Sequence, residues 1–229
     1  ALNDAGYQAY VVGGAVRDLL LGLTPGDFDL TTNAKPEQVL AVARAHNFGS
    51  VDNLGQNFGV VVLVVAGHPV EVATFRGERY GTDVHRPAEV WYCERLEEDL
   101  GRRDFTVNAM AYHPVRGLVD PFGGQADMKA KCLRCVGEPR LRFTEDALRI
   151  FRALRFAAVL GFTLEEETAK AAFELKERLH LVSAERIYVE LKKLLLGDWA
   201  FDVLVEYKEI IGVVVPELVP AFDCPQQNP

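Results

Sequence analysis

Within Tyr10–Leu30, which reads YVVGGAVRDLLLGLTPGDFDL, two groups of residues have the types and spacing for phosphate chemistry. Asp27 and Asp29 are one residue apart. In a strand, side chains i and i+2 share a face, so alternation points both carboxylates one way and turns Phe28 into the core. Paired carboxylates suit hard divalent cations such as Mg²⁺, which take oxygen ligands in the company of substrate phosphates. Upstream, Tyr10-Val11-Val12 breaks into Gly13-Gly14 and a segment carrying Arg17. The glycines let backbone approach a ligand closely, and a helix starting after them offers N–H groups to an anion. The competing role for the aspartates, as exposed loop acids or helix caps, fits poorly with the apolar neighbours Phe28 and Leu30.

Three further groups carry polar chemistry on apolar elements. Glu71 lies in Val70–Phe75, where a buried carboxylate needs a cation or an arginine such as Arg76 or Arg17. Arg102-Arg103-Asp104-Phe105-Thr106-Val107-Asn108-Ala109 combines cations suited to phosphate with an acid and an amide suited to ribose hydroxyls. It also reads as an ordinary charged helix start, with Asp104 near the N-terminus. In Glu145-Asp146-Ala147-Leu148-Arg149-Ile150-Phe151-Arg152, helical spacing puts Glu145, Arg149 and Arg152 on one stripe. Ala147, Phe151, Leu154 and Ala158 form the stripe that faces a core. Asp146 and Arg149 offer an acceptor and a donor to a base edge, the kind of pairing that tells bases apart. A salt-bridged surface helix, with Glu145 and Arg149 at i and i+4, is the equal alternative.

The elements that must position these residues follow from periodicity and punctuation. Ala9–Val12 reads as a strand, Ala15–Leu21 as a short helix stopped by Gly22, and Asp27–Thr31 as the next strand. A helix is expected over Pro36–Ala45, with proline at its start. Val60–Val65 and Val70–Phe75 flank Ala66-Gly67-His68-Pro69, a hairpin signal. Arg76–Glu98 is polar and irregular, a long loop of the functional kind. Gly101–Tyr112 is expected to be helical and Leu118–Asp120 a short strand. From Thr144 to Tyr207 the pattern is helical, which makes the first part of the chain mixed α/β and the rest all-α, with a seam near Gly137–Phe143.

At 229 residues, 49% of them hydrophobic and 25% charged, the composition is that of a globular protein with ample core. No apolar run reaches the ~18 residues of a membrane helix. The net charge of −8 argues against a protein covered in nucleic-acid-binding surface. Residues 129–155 nevertheless hold eight Lys/Arg against three acids, a net of +5, which suggests a local phosphate-binding patch. Cys132 and Cys135 form one C-x-x-C without a second pair, a weak zinc signal. Four scattered cysteines and no secretion signal fit a reducing cytoplasm.

Taken in order, G-G-x-x-R-D, D-x-D, R-R-D-F-T-x-N-A, D-P-F-G-G and E-D-x-x-R-x-x-R-F resemble the class II tRNA nucleotidyltransferases. These CCA-adding enzymes share their head with bacterial poly(A) polymerases. The resemblance covers Tyr10 to about Leu196. It implies an α+β fold: a polymerase β-like head with a small mixed sheet and flanking helices at 1–137, then an all-helical neck at 138–229. It assigns Asp27 and Asp29 to two Mg²⁺ ions, with Glu71 as a further active-site acid. Gly13, Gly14 and Arg17 match the triphosphate turn, and Arg103, Asp104 and Asn108 the ribose-selecting motif. Asp146 and Arg149 match the pair that selects CTP or ATP without a nucleic-acid template. Arg152 matches a companion that positions the nucleotide, with Arg155 counted among the substrate-binding residues. Arg186 and Glu190, within Ser183–Leu195, match supports of that templating helix.

The implied reaction is addition of CCA to the tRNA 3′ end from CTP and ATP, with pyrophosphate leaving and no protein nucleophile. Asp120–Gly124 and the loop Gly77–Glu98 resemble CCA- or A-adding enzymes more than poly(A) polymerases, and the loop, including Asp83–Pro87, disfavours a CC-only enzyme. The alternatives are an A-adding enzyme, a poly(A) polymerase and, less favoured, a non-catalytic nucleotide- or RNA-binding module. The resemblance also implies body and tail domains beyond Pro229, so the chain is expected to be a truncated form.

Overall fold

The computed structural model describes residues 1–51, 59–81 and 87–222. The chain packs as two compact units, one of Ala1–Arg79 with Ala88–Ala126, the other of Tyr80–Pro87 with Asp127–Pro229.

The first unit is built on a mixed sheet. Its strands are β1 (Ala9–Val12), β2 (Asp29–Thr32), β3 (Gly49–Ser50), β4 (Val60–Val65), β5 (His68–Thr74), β8 (Ala111–His113) and β9 (Gly117–Val119), in the spatial order β3-β4-β5-β2-β1-β8-β9. Only the central β2–β5 pair is parallel; every other pairing is antiparallel. The hairpin between β4 and β5 turns on Ala66 and Gly67, both at positive φ (52° and 84°), the backbone hand that matches strand twist. One face of the sheet, carrying Val61, Leu63 and Val72, packs on Val39 and Ala43 of α2 (Pro36–Ala45). The other face carries a row in register across four strands: Val12, Asp29, Glu71 and Val62.

Helix α1 (Gly14–Leu20) follows β1 directly. A separate two-stranded sheet pairs β6 (Arg76–Tyr80) with β7 (Pro87–Tyr92), and α3 (Leu96–Gly101) comes next. The expected irregular loop therefore contains two strands and the start of a helix; Asp83–Arg86 lie outside the described residues. Helix α4 (Gly124–Lys129) begins where the Asp120 carboxylate accepts from the Gly124 and Gln125 N–H groups (2.7 and 2.9 Å).

Among the described residues, 127–222 of the second unit are helical apart from a two-residue parallel pairing, β10 (Cys132–Leu133) with β11 (Thr163–Leu164). Its helices are α5 (Pro139–Glu145), α6 (Leu148–Leu160), α7 (Glu166–Glu174), α8 (Ala184–Leu195), α9 (Ala200–Glu206), α10 (Lys208–Val214) and α11 (Val219–Phe222), with 3-10 turns at Lys176–Leu181 and Pro216–Leu218. Helix α6 is buried almost all round: Ile150, Phe151, Ala153, Leu154 and Ala158 are fully enclosed. Among the described residues no helix is long and apolar enough to cross a membrane. Cys132 and Cys135 are free thiols, and no three His, Cys, Asp or Glu side chains converge into a metal-holding group among the described residues. Cys224 lies outside those residues.

Three expectations are corrected. Gly101–Tyr112 is not one helix: α3 ends at Gly101, Thr106–Asn108 is a 3-10 turn, and β8 follows. Phe105, Val107, Ala109, Met110 and Ala111 are all fully buried, more sides than one amphipathic face supplies, and β8 pairs with the otherwise open edge of β1. Phe28 does not turn into the core but is 44% exposed, because β2 begins only at Asp29 and alternation has no hold on the residue before it. The helix expected from Thr144 is broken at Asp146, whose backbone is extended (φ −146°, ψ 104°) between α5 and α6.

Candidate active site

In the first unit the sheet places Asp29 and Glu71 side by side on adjacent parallel strands, whose spacing is about 4.8 Å. Burial raises the Asp29 pKa above its ordinary 3.8, and the charges of Asp27 and then Glu71 raise it further, while Arg103 opposes them. Asp29 thus sits in the negative field of Asp27 and Glu71, opposed by Arg103. Glu71 is exposed, so the cost of burying it does not arise. Hard oxygen donors short of positive charge fit a divalent cation of the Mg²⁺ type. Because no three acids converge into a closed cage among the described residues, the fit is to ions held by two carboxylates and completed by substrate phosphates.

The turn after β1 lies beside this row. Gly13 has φ +71°, and a Cβ built there would stand 2.9 Å from Arg103 Nη1. Glycine takes that backbone hand without strain, and any side chain there would have to displace the end of Arg103. Arg17, on α1, is buried and points inward: its Nη1 donates to Asn108 Oδ1 (2.6 Å), and its Nε and Nη2 donate to Asp18 (2.8 and 2.6 Å). Asn108 Nδ2 in turn donates to Asp104 Oδ1 (3.0 Å), which also accepts the Phe105 N–H (2.8 Å). The 3-10 turn at Thr106–Asn108 therefore fixes the Asn108 amide between one cation and one acid.

In the second unit the break between α5 and α6 is organised by ion pairs. Asp146 accepts from Arg186 Nη2 of α8 (2.8 Å) and from the Leu148 N–H (3.1 Å). Arg149 Nη1 donates to Glu145 (2.7 Å) and to the Arg142 carbonyl (3.2 Å), and Arg142 also pairs with Glu145 (2.7 Å). Buried Glu190 of α8 takes Arg155 Nε at 2.8 Å and lies 3.6 Å from Arg152. The base-edge candidates Asp146 and Arg149 are thus anchored neighbours across a helix break, Asp146 by Arg186 of α8 and Arg149 by Glu145 and the Arg142 carbonyl of α5.

These same pairs consume the basic stretch seen in the sequence. Arg134 lies on Asp127 and Glu165, Arg140 on Glu174, and Arg142, Arg149, Arg152 and Arg155 on the acids just named. The basic stretch is thus largely paired with carboxylates of the same unit, with Arg134 and Arg140 at the surface.

Residues 9–134 match the family described as "Poly A polymerase head domain". The chain belongs to that family. Residues 161–221 match a second family description, "Probable RNA and SrmB- binding site of polymerase A". The chain is 46% identical over 203 residues to a CCA-adding enzyme of Geobacillus thermodenitrificans, covering 89% of this chain and 49% of that protein. Among solved structures, the Bacillus stearothermophilus CCA-adding enzyme in complex with CTP matches with a TM-score of 0.80 and 42% identity, over 90% of this chain and 49% of that one. The Thermotoga maritima CCA-adding enzyme complexed with a tRNA-CCA matches with a TM-score of 0.76 and 28% identity, over 96% of this chain and 50% of that one. The chain spans about half the length of the curated relatives it matches. Its fold is the nucleotidyltransferase head of this family, a mixed sheet with flanking helices.

Within the first unit, then, Asp29, Glu71, Gly13 and Arg103 are brought together with the charge of Asp27, and Arg17, Asn108 and Asp104 form a chain beside them. Within the second, Asp146 pairs with Arg186, Arg149 with Glu145, and Arg152 and Arg155 share Glu190. One residue of the first unit escaped the reading of motifs. Asp99 is completely buried and accepts from Arg102 Nε and Nη2 (3.0 and 2.8 Å) and from Thr31 Oγ1 (3.1 Å). Its signal was a single acid three and four residues before Arg102 and Arg103, the spacing of an ion pair at a helix end.

Proposed function

We propose that this chain is the catalytic part of a CCA-adding tRNA nucleotidyltransferase, which extends the tRNA 3′ end from CTP and ATP and releases pyrophosphate. The observation that carries the reading is the Asp29–Glu71 row, with Asp27 beside it, at the Gly13 turn of a chain 46% identical to a CCA-adding enzyme. Asp27 and Asp29 would hold two Mg²⁺ ions. When bound, such ions stabilise the attacking and leaving oxygens of an in-line displacement. Gly13 and Gly14 leave the backbone open to a triphosphate, and Arg103 sets a fixed cation beside it. Asp104 and Asn108, oriented by Arg17, supply the acceptor and amide for a ribose. Asp146 and Arg149 present an acceptor and donors to the base edge, with Arg152 and Arg155 steadied by Glu190. Residues 1–137 act as the head and 138–229 as the neck. Free thiols at Cys93, Cys132 and Cys135 fit a cytoplasmic protein.

The test is product sequencing on tRNA ending in the discriminator base, in C and in CC, with all four nucleoside triphosphates present. Completion of CCA on each substrate is expected. Addition of AMP to the CC substrate alone would identify an A-adding enzyme. A second reading, a poly(A) polymerase, is favoured by both family descriptions, which name polymerase A. CTP supplied alone separates them, since a strict poly(A) polymerase leaves it unused.

A further inference from the structure

We propose that Asp99 is a positioning residue which ties Arg103 to the strand carrying Asp29, so that the guanidinium keeps a set place at the Gly13 turn. The inference rests on the nucleotide-binding reading of Arg103 given above. The two oxygens of Asp99 divide the work. Oδ1 accepts from Arg102 Nε and Nη2 and from the Arg76 N–H (3.3 Å), at the start of β6. Oδ2 accepts from Thr31 Oγ1 at 3.1 Å and lies 3.7 Å from Arg103 Nη2. Thr31 sits two residues beyond Asp29, on the same face of β2, and is itself completely buried. One carboxylate oxygen thus touches both the strand of the candidate metal-binding acid and the candidate nucleotide-binding cation.

A motif-level reading does not call for this acid, but the electrostatics do. Arg103 is 19% exposed, and burial works against its charge; Asp99 is the largest of the charges that restore it, ahead of Asp104 and Asp29. Its Nε has no hydrogen-bond partner among the described residues, so the ion pair and the contact of Nη1 with the Asn108 carbonyl (3.5 Å) carry much of its placement. A buried carboxylate completely sealed from water is retained only where partners compensate it. Here the partners include the hydroxyl of one strand and the cation of a separate segment.

The experiment measures CTP binding and CTP incorporation, each with Mg²⁺ present, in the full chain. Its variants are Thr31→Val, Thr31→Ser, Asp99→Asn, Arg103→Ala and the Asp99→Asn/Arg103→Ala double. Thr31→Val keeps the buried shape and removes the hydroxyl. It should weaken CTP binding about tenfold, with kcat changed less than KM, and Thr31→Ser should restore it. Asp99→Asn should weaken CTP binding by at least as much. The double variant should be no worse than Arg103→Ala alone, the signature of two residues acting through one interaction. Should Asp99→Asn fail to fold, the Thr31 pair decides the question, because Val and Ser differ at that site by the hydroxyl in question. Full additivity in the double variant, or Thr31→Val and Thr31→Ser behaving alike, would overturn the positioning role while leaving Arg103 as a nucleotide contact. An Arg103→Ala variant with unchanged CTP binding would overturn the nucleotide-binding reading and this inference with it.

Discussion

Asp29 illustrates how a candidate site residue is made costly by its surroundings. Its raised pKa means that the folded chain keeps this proton to higher pH than the unfolded chain, whose carboxyl titrates near 3.8. Stability contributed by the protonated form is present below that value and is lost as pH climbs through the raised pKa. Metal-free protein should therefore melt higher as Asp29→Asn than as the parent at pH 7, and the gap should close below about pH 4. Mg²⁺ should raise the melting temperature of the parent and leave the variant unmoved, while nucleotide incorporation by the variant falls by about a hundredfold or more. A parent as stable as the variant at pH 7 in EDTA would contradict the assignment of that charge. The sequence made the two aspartates visible, since D-x-D after a glycine turn is a strong local pattern. Their crowding by Glu71 was not visible, because it depends on β5 lying parallel to β2 in one register.

At the scale of elements, short connections set by glycine and buried ion pairs decide the geometry. Gly13→Ala would force an L side chain to φ +71° and drive its Cβ against Arg103 Nη1. A loss of about 1–2 kcal/mol in unfolding free energy is expected, along with weaker CTP binding, measured by urea denaturation and by titration. Glu190→Gln removes the acid that α8 offers to Arg155 and Arg152 of α6 and strands two cations near a buried site. Denaturant unfolding should show a loss of about 3 kcal/mol. Discrimination of CTP and ATP from UTP and GTP should also drop, because the helix bearing Arg149 loses its backing. Retained selectivity alongside that stability loss would confine Glu190 to a structural role. Helix α6 itself was legible from its spacing, as Ala147, Phe151, Leu154 and Ala158 are all buried. The break at Asp146 was not. Glu145 and Arg149 keep an i, i+4 pair in sequence, and the 2.7 Å bond forms across the break all the same.

For the whole molecule, local charge in the sequence proved a poor guide to free charge on the surface. Of the eight cations in residues 129–155, six are paired with carboxylates of the same unit, leaving Lys129 and Lys131 exposed. With a net charge of −8 besides, binding of tRNA by this chain should depend weakly on salt. A plot of log affinity against log salt, from fluorescence anisotropy, should have a slope no steeper than about −3. A slope near −6 or beyond would show that these ion pairs open to meet phosphate.

The sequence by itself determined the candidate site residues and most of the local elements that bear them. Glycine turns, proline starts and the alternation of valines are properties of a few consecutive residues, and the motifs occur in an order that few proteins share. Tertiary structure decided everything that needed two distant segments to meet. It set the parallel register that brings Glu71 to Asp29, the burial of Asp99 beneath Thr31 and Arg103, and the recruitment of 111–113 as a strand for the open edge of β1. Its physical reason is common to all three cases. Backbone hydrogen bonds and buried polar groups must be satisfied by whatever partners the fold supplies, and in each case one of those partners lies dozens of residues away.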